Sequence, residues 1–353
     1  MTLELILPLI VSFIAVLITV PITIIFAKKA KLVDDPKKHK HPAIIHKKTL
    51  PRAGGLPIYI GILVGILIFL PIDRTLISLL IAGLLAVIIG LLDDRYDLSP
   101  YIRFGGNIVC AAIVVFMGVH IPFITNPLGG ILNFSTFTYH VLGFTISLQA
   151  LLAIVWIVWI MNMLNWSKGV DGQMPGIAAI AAIFIGIASL RFPVLTQENV
   201  YVSEMSFIVA GAAIGFLLYN FYPAKIFPGY SATILGFMLG VLSIMSGVKL
   251  ATAVLVMGVP IADGLFTITR RILTKHSPFK HDKGHLHHLL LDIGMGQRRI
   301  ALFYWSVTLV LGFFALNLSS RGKLFAIILM LVVIGAFILT LRYIIKKSGE
   351  ENA

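Results

Sequence analysis

The sequence is poor in charged residues. Only 12% of its 353 residues are Asp, Glu, Lys or Arg, about half the share of a soluble domain, whereas 58% are hydrophobic. This composition excludes a soluble globular protein and indicates a protein that crosses a membrane several times. The formal charge is +13, but the cations are scattered between long apolar runs and do not form a basic face. We therefore expect no nucleic-acid partner.

Cysteine is almost absent, since Cys110 stands alone in an apolar run. A single cysteine excludes an intrachain disulfide and a cysteine-based metal cluster. The N-terminal apolar segment also lacks a basic leader and a small-residue cleavage site, and it is longer than the core of a signal peptide. It is therefore predicted to be a retained first span.

Long apolar runs are what the sequence has in abundance. A helix needs roughly 20 apolar residues to cross the hydrocarbon core of a bilayer. Eleven segments reach or approach that length, and they predict an all-α polytopic membrane protein with about eleven transmembrane helices in a single domain, 1–353. The segments are 3–27, 54–69, 76–92, 104–120, 147–161, 176–190, 206–220, 232–245, 251–269, 300–316 and 324–345.

The distribution of lysine and arginine sets the orientation. An N-terminus outside and a C-terminus in the cytoplasm place 23 of the 28 cations on the inner side, as the positive-inside rule requires. The outer segment at about 121–145 alternates around Gly129-Gly130 and predicts an extracytoplasmic β-hairpin. Cytoplasmic loops carry the active-site motifs, among them a histidine loop at about 270–299. The basic connection at 31–55 is either an ordered, ligand-facing loop or merely an orienting one.

The stretch "GLLDDRYDLSP" carries the strongest local signal. Asp93 and Asp97 are one turn apart on a continuing helix, and Asp94 is adjacent. Carboxylates this close imply a divalent metal, a basic substrate or a shifted pKa, and the alternative is a solvated helix end. Arg95, which directly follows Asp94, and Arg103 could neutralise part of this charge.

A second polar stretch, "MNMLNWSKGVDG", follows the fifth predicted span. Asn162 and Asn165 share a helical face and offer carbonyl oxygens to Mg²⁺ or amides to a sugar, and Asp171 then turns the chain. Helix capping is the alternative reading of these residues.

The third stretch, "PFKHDKGHLHHLLLDIGMGQRR", gathers hydrogen-bond donors. Lys283, His285, His287 and His288 form a compact set suited to a diphosphate. A zinc site is the rival, although no carboxylate or cysteine completes it at ligand spacing, and a structural turn is the third reading.

Asp263 is a carboxylate inside an apolar helix, which by default indicates a functional site, with Arg270 or Arg271 as the expected partner. Together these stretches predict an inner-face site where a phosphate-bearing soluble substrate meets a lipid. A secondary transporter is the competing class, but the inverted repeats and mid-membrane charges that it requires are not evident.

The ordered motifs LVDDP, PRAGG, GLLDDRYDLSP, NMLNWSKGVDG, NFYPAKIFPG, PIADGLF and DKGHLHH resemble the polyprenyl-phosphate N-acetylhexosamine-1-phosphate transferases. These membrane enzymes begin peptidoglycan-lipid, teichoic-acid and O-antigen assembly, and the resemblance covers nearly the whole chain. It implies transfer of a sugar-1-phosphate, with N-acetylglucosamine as the expected sugar, from a UDP-sugar to undecaprenyl phosphate. Release of UMP, use of Mg²⁺ and location in a bacterial-type plasma membrane are implied as well.

The resemblance also implies roles for individual residues. Asp93 and Asp94 match the acidic pair that activates the lipid phosphate, and Asn165, with Asp94, matches the metal site. Asp171 matches the nucleotide-side acid, His285, His287 and His288 match the diphosphate motif, and Arg103 stands where a lysine is usual. The remaining substrate-binding candidates are Arg52, Asn162, Lys168, Lys225, Tyr230, Asp263 and Lys283. Oligomeric state is not visible in the sequence, and a homodimer stays open.

Two positions depart from the family pattern. Lys168 replaces the first aspartate of the Asp-Gly-x-Asp-Gly turn, and Tyr230 replaces the aspartate of the loop that holds Mg²⁺. Three hypotheses follow from this exchange of charge. The site is rearranged around the metal, or works by metal-free electrostatics with Lys168 supplying part of the cation's charge. Otherwise the protein binds polyprenyl phosphate or UDP-sugar without turnover, as a scaffold or regulator.

Overall fold

The structure, a computed structural model, describes residues 3–35, 49–126, 129–141, 144–247, 250–277 and 284–351. The described chain is mostly helical, which confirms the predicted all-α class. Its helices are α1 Leu3–Lys29, α2 Gly55–Phe69, α3 Arg74–Tyr96, α4 Pro100–Phe116, α5 Leu148–Trp166, α6 Gln173–Ser189, α7 Gln197–Asn220, α8 Thr233–Met245, α9 Leu250–Val256, α10 Gly258–Leu273, α11 Leu286–Asp292, α12 Gln297–Asn317 and α13 Ser320–Glu351.

Every predicted span contains a helix, but not every helix is long enough to cross a membrane. Six helices pass by length and composition, namely α1, α3, α5, α7, α12 and α13. The α9 and α10 helices add a seventh if they form one broken span, bent by 84° at Met257. The helices α2, α4, α6 and α8 are apolar but shorter. Length and composition thus support six or seven crossings in the described chain, fewer than the predicted eleven.

The bundle is organised around α7, which packs against α1, α2, α6 and α8. Glycines allow the closest approaches: Gly211 lies against the backbone of Leu9, and Gly236 lies against the backbone of Met161. Small residues at such contacts are typical of helix pairs in lipid, where apolar side chains gain little by leaving the surroundings. The outer helix α13 keeps large apolar side chains such as Phe325 exposed, as a lipid-facing surface requires.

The connection between α4 and α5 forms two antiparallel hairpins where one was predicted at about 121–145. Strands β3 (Phe123–Thr125) and β4 (Ile131–Asn133) pair across the turn that contains Gly129 and Gly130. Strands β5 (Thr138–Val141) and β6 (Phe144–Ser147) form the second hairpin. The Asn133 side chain accepts from the Ser135 amide and turns the chain between them, a local signal that alternation alone does not reveal. Both hairpins follow the end of α4.

The polar motifs lie at the other end of the bundle, where α3, α5 and α7 end and α4, α6 and α8 begin. The expected shared face of Asp93 and Asp97 is wrong, because α3 ends at Tyr96. Asp97 adopts a left-handed conformation (φ 49°), its amide caps the helix at the Asp93 carbonyl, and its side chain is exposed. Only two of the three carboxylates therefore turn into the protein.

Candidate active site

The loop at 227–232 lies between the start of α2 and the end of α3. The short strand β2 (Leu50–Pro51), which pairs with β1 (Val33–Asp34), holds the loop through a bond from the Phe227 amide to the Pro51 carbonyl. The Ser231 hydroxyl accepts from the Gly55 amide at 3.1 Å. A side chain at Gly55 or at Gly90 would collide with the backbone of Ser231. The helix ends thus fix the backbone of this loop.

Asp94 binds the loop with both carboxylate oxygens. Its Oδ1 accepts from the Tyr230 amide at 2.7 Å, and its Oδ2 accepts from the Ser231 hydroxyl at 3.1 Å and the Ser231 amide at 3.4 Å. Gly229 adopts φ 67° and leaves no room for a Cβ atom beside this carboxylate. Arg52 completes the contacts, with Nε 3.5 Å from Oδ1. The buried Asp94 charge is therefore fully engaged by the protein.

Asp93 is buried beside Asp94 and pairs with a different arginine. Arg103 Nη1 lies 3.3 Å from Asp93 Oδ1, and the same guanidinium lies over the Tyr230 ring, 5.4 Å from its centroid. Arg52 also lies 4.0 Å from Asp34, so it is shared between two carboxylates. The structure thus brings Asp93, Asp94, Arg52 and Arg103 together.

The Tyr230 phenol binds a residue of α4. The hydroxyl accepts from Asn107 Nδ2 at 3.1 Å, inside the bundle. Burial raises the pKa of the Tyr230 phenol to about 12, so the side chain is neutral at physiological pH. Asn107 was missed by the sequence analysis, although an amide within the apolar stretch "FGGNIVCA" is a signal that could have found it.

Lys168 places an ammonium group against the same loop. Its Nζ donates to the Gly229 carbonyl at 3.0 Å and lies 5.6 Å from the centroid of the Tyr230 ring. Burial lowers the pKa of Lys168 to about 8, and the negative charge of Asp94 opposes this shift. The amine is therefore mostly protonated at neutral pH. Asp93, Asp94, Arg52, Arg103 and Lys168 together are called the aspartate cluster.

A second polar group, the histidine cluster, consists of Asp263, His285, His287 and His288. Asp263 Oδ2 lies 2.8 Å from His285 Nδ1, and Oδ1 accepts from the Leu286 amide at 2.8 Å. The carboxylate thus orients His285 and satisfies a free amide at the start of α11. Where the sequence indicated an arginine of α10 as the partner of Asp263, the structure shows contacts with His285 and the Leu286 amide. Of the two expected partners, Arg271 lies over the Trp166 ring.

His287 is the most buried histidine of the cluster. Its ring stacks parallel to that of His285 at 5.6 Å between centroids and contacts His288 at 4.3 Å. Burial lowers the pKa of His287 well below its usual value, and the neighbouring His288 and His285 add to this effect. The ring is therefore neutral at physiological pH. Within the described chain, its Nδ1 has no hydrogen-bond partner.

The turn at 167–172 joins the two clusters. Lys168 reaches the aspartate cluster, whereas Gly169 packs so closely on the His287 ring that a side chain would not fit. Asp171 fixes the turn, because its Oδ2 accepts from the Ala224 amide at 3.0 Å. Its own amide donates to Gln297 Oε1 at 3.3 Å. The aspartate and histidine clusters therefore form one continuous site.

Asn165, at the end of α5, is 9% exposed, and its Oδ1 has no hydrogen-bond partner among the residues that the structure describes. Two other described candidates are not brought to the site. Asn162 donates to the Val158 carbonyl within α5, and Lys225 is exposed over the Tyr219 ring. Lys283 lies outside the described residues. Gln173, fully buried at the start of α6, is a polar neighbour that sequence reasoning missed.

The side chains of the site do not fit a magnesium ion. Mg²⁺ requires near-octahedral oxygen ligands, usually including carboxylates. Both oxygens of Asp94 already bind the loop, Asp93 pairs with Arg103, and Tyr230 turns its neutral phenol to Asn107. In the described part of the chain, no three Asp, Glu, His or Cys side chains form a metal-binding group. The buried oxygens Asp93 Oδ1, Asn165 Oδ1 and Gln173 Oε1 make no hydrogen bond within the described chain, but Asp93 Oδ1 lies 3.3 Å from Arg103 Nη1.

Comparison with known proteins identifies the family. The model of glycosyl transferase family 4 matches residues 76–247. A probable undecaprenyl-phosphate N-acetylglucosaminyl 1-phosphate transferase from Bacillus subtilis is 31% identical over 351 residues, covering 97% of this chain and 92% of that protein. The decaprenyl-phosphate N-acetylglucosaminephosphotransferase of Mycolicibacterium smegmatis is 32% identical, covering 87% of this chain and 81% of that protein. A phospho-N-acetylmuramoyl-pentapeptide-transferase from Moorella thermoacetica is 28% identical, with coverage of 89% and 98%. The chain therefore belongs to glycosyl transferase family 4, among the polyprenyl-phosphate N-acetylhexosamine-1-phosphate transferases.

Proposed function

We propose that the protein transfers N-acetylglucosamine-1-phosphate from a UDP-sugar to undecaprenyl phosphate, releases UMP and so begins the assembly of a cell-envelope polysaccharide. One observation carries the proposal. The turn at 167–172 joins a cluster of paired charges to a cluster of histidines at one end of a bundle of apolar helices. A water-soluble diphosphate and a lipid phosphate can meet at such an end. The names of the relatives from Bacillus subtilis and Mycolicibacterium smegmatis support this choice of reaction.

The reaction exchanges one phosphorus–oxygen bond for another. An oxygen of the lipid phosphate forms a bond to the phosphorus that carries the sugar, and the bond from that phosphorus to the oxygen of UMP breaks. Phosphoryl transfer depends mainly on alignment and on neutralising charge. Arg52, Arg103 and Lys168 provide the cations, and the histidines provide N–H donors. Asp93 is the carboxylate that accepts a proton still carried by the lipid phosphate.

The site end of the bundle is assigned to the cytoplasm. Most lysines and arginines lie in the connections on that side, as the positive-inside rule predicts. In this arrangement the shorter helices α2, α4, α6 and α8 also cross, with tilt or local thinning of the bilayer. The N-terminus is then outside.

The test is an assay of the purified full chain with UDP-N-acetylglucosamine and undecaprenyl phosphate, in which UMP and the lipid product are measured. We expect both products from the native protein. Asp93→Asn should lower turnover by about a hundredfold or more, the scale of a lost general base. Asp97→Asn is the matched control, because Asp97 is exposed near the end of the same helix and Asn tolerates its left-handed conformation.

Equal losses in the two variants would contradict the role of Asp93. Tight binding of both substrates without UMP release, in buffers with and without Mg²⁺, would instead identify a non-catalytic relative that acts as a scaffold or regulator.

A further inference from the structure

Lys168 places its ammonium group beside the aspartate pair. The ammonium uses one of its three hydrogens for the Gly229 carbonyl, at 3.0 Å. The charges that act on it are those of Asp94, Arg52, Asp93 and Arg103. A cation therefore lies at the loop whose family relatives, by the resemblance above, hold a metal ligand.

We propose that this protein binds the phosphates of its substrates without a divalent cation, and that Lys168, with Arg52 and Arg103, supplies the positive charge. The inference rests on the proposed function and specifies how its site receives a nucleoside diphosphate and a lipid phosphate. It also selects the metal-free hypothesis among the three that the sequence left open.

The balance of charge in the site supports the proposal. Three carboxylates, Asp34, Asp93 and Asp94, face three protein cations, Arg52, Arg103 and Lys168. The charges of this set balance; Asp97, which also acts on Asp93, is exposed, and Asp93 Oδ1, which makes no hydrogen bond in the described chain, lies 3.3 Å from Arg103 Nη1. The cations, in contrast, keep hydrogen-bond donors in reserve, since an arginine has five and a lysine three. The site is thus better suited to receive an anion than a metal.

The geometry of the loop supports the same conclusion. Replacing an aspartate by tyrosine removes a carboxylate ligand only if the phenol does not take its place. Here the Tyr230 hydroxyl is bound to Asn107 at 3.1 Å, and the Tyr230 ring lies beneath the Arg103 and Lys168 cations. The aromatic face therefore stabilises the two cations at the loop instead of presenting an oxygen to a metal.

The decisive experiment measures binding of UDP-N-acetylglucosamine to the purified full chain by isothermal titration calorimetry. Parallel titrations contain excess EDTA or millimolar MgCl₂. We expect dissociation constants that agree within about twofold, because no ligand contact depends on the metal. A loss of about tenfold or more in EDTA would overturn the proposal.

Variants of Lys168 test whether its positive charge binds the substrate phosphates. Lys168→Ala should weaken binding in EDTA by about tenfold or more, the scale of a hydrogen bond to a charged group, whereas Lys168→Arg should retain most of the affinity. Arg95→Ala is the matched control, because Arg95 is an exposed cation at the end of α3 that stacks on Tyr96. Native affinity in Lys168→Ala would overturn the role of Lys168, and the titrations of the native chain stand even if the variant does not fold.

A double substitution tests the inference in the opposite direction. Lys168→Asp combined with Tyr230→Asp removes the ammonium and adds two carboxylates, so binding should become dependent on Mg²⁺ by about tenfold or more. If binding to a folded double variant did not become dependent on Mg²⁺, this would count against the inference that Lys168 supplies the charge of a metal ion.

UMP release separates the two proposals. Transfer that requires Mg²⁺ overturns the metal-free inference but leaves the proposed function intact. Equal binding in EDTA and MgCl₂ without transfer in either supports the metal-free inference and overturns the proposed function.

Discussion

The aspartate and histidine clusters are adjacent but satisfied in different ways. In the aspartate cluster, Asp94 uses both oxygens on the loop and Arg52, and Asp93 pairs with Arg103. In the histidine cluster, Asp263 orients His285, but His287 keeps a buried Nδ1 without a partner in the described chain. One cluster pairs its charges within the protein, although Asp93 Oδ1 makes no hydrogen bond in the described chain, whereas the other contains a neutral ring whose Nδ1 is free to bind a ligand.

This difference indicates that the two clusters have different roles. Charge that is paired inside the protein can be buried without a prohibitive desolvation cost, and it keeps the loop at 227–232 in place. A neutral buried nitrogen without a partner costs free energy in the empty site and regains it when a ligand binds. The aspartate cluster is therefore expected to govern folding and charge, and the histidine cluster to govern recognition.

The largest effect is expected from Asp94→Ala. This change leaves the loop amides of Tyr230 and Ser231 without their acceptor and removes the nearer of the two carboxylates of Arg52, and removal of one partner from a buried ion pair costs about 3–5 kcal/mol. Thermal unfolding of the detergent-solubilised protein should show a large fall in Tm. Asp97→Asn, an exposed change close in sequence, should leave Tm nearly unchanged. Similar Tm values for both variants would show that the aspartate cluster does not hold the fold.

A smaller effect is expected from Asp263→Asn. Asparagine can still accept from the Leu286 amide, but it loses the negative charge that faces His285. Weakening one charge-assisted hydrogen bond should lower kcat/KM by about tenfold, with little change in Tm. Asp292→Asn, an exposed change at the other end of α11, is the control. A large fall in Tm would mean that Asp263 serves folding rather than recognition.

The smallest effect is a pH dependence of binding. Lys168 is protonated below its pKa of about 8, so affinity for UDP-N-acetylglucosamine should be highest at neutral pH and fall as pH rises through about 8. The loss should stay below about tenfold one unit above this pKa, because about a tenth of the amine remains protonated. Lys168→Arg should flatten the profile, since arginine does not deprotonate in this range. The charged and titratable groups around Lys168 are Asp93, Asp94, Arg52, Arg103 and Tyr230.

If affinity fell with pH in Lys168→Arg as it does in the native protein, the titrating group would be another of the charged or titratable groups around Lys168. His287 contributes no change near neutrality, because burial and its two histidine neighbours keep its ring deprotonated there.

Much of the fold could be predicted from hydropathy, because each apolar run of the sequence is a helix in the structure. The break at Met257 could not, since an apolar run gives no periodic sign of a bend. Pro260, which has no amide hydrogen to donate to Val256, was the available signal. The short helix α11 was missed because its stability depends on Asp263, a residue distant in sequence. Residue types predicted the chemistry of the site, but the pairing of each charge required the tertiary structure.

The glycines at the start of α2 and in α3 have a mechanical consequence. With Gly55 and Gly90 touching the backbone of Ser231, no soft layer of side chains separates the loop from the two helices. A tilt of one helix against the other would therefore displace the loop directly, and with it the amides that hold Asp94. In this protein a change in the tilt of α2 or α3 is thus transmitted to the loop that holds Asp94 through direct contacts with backbone.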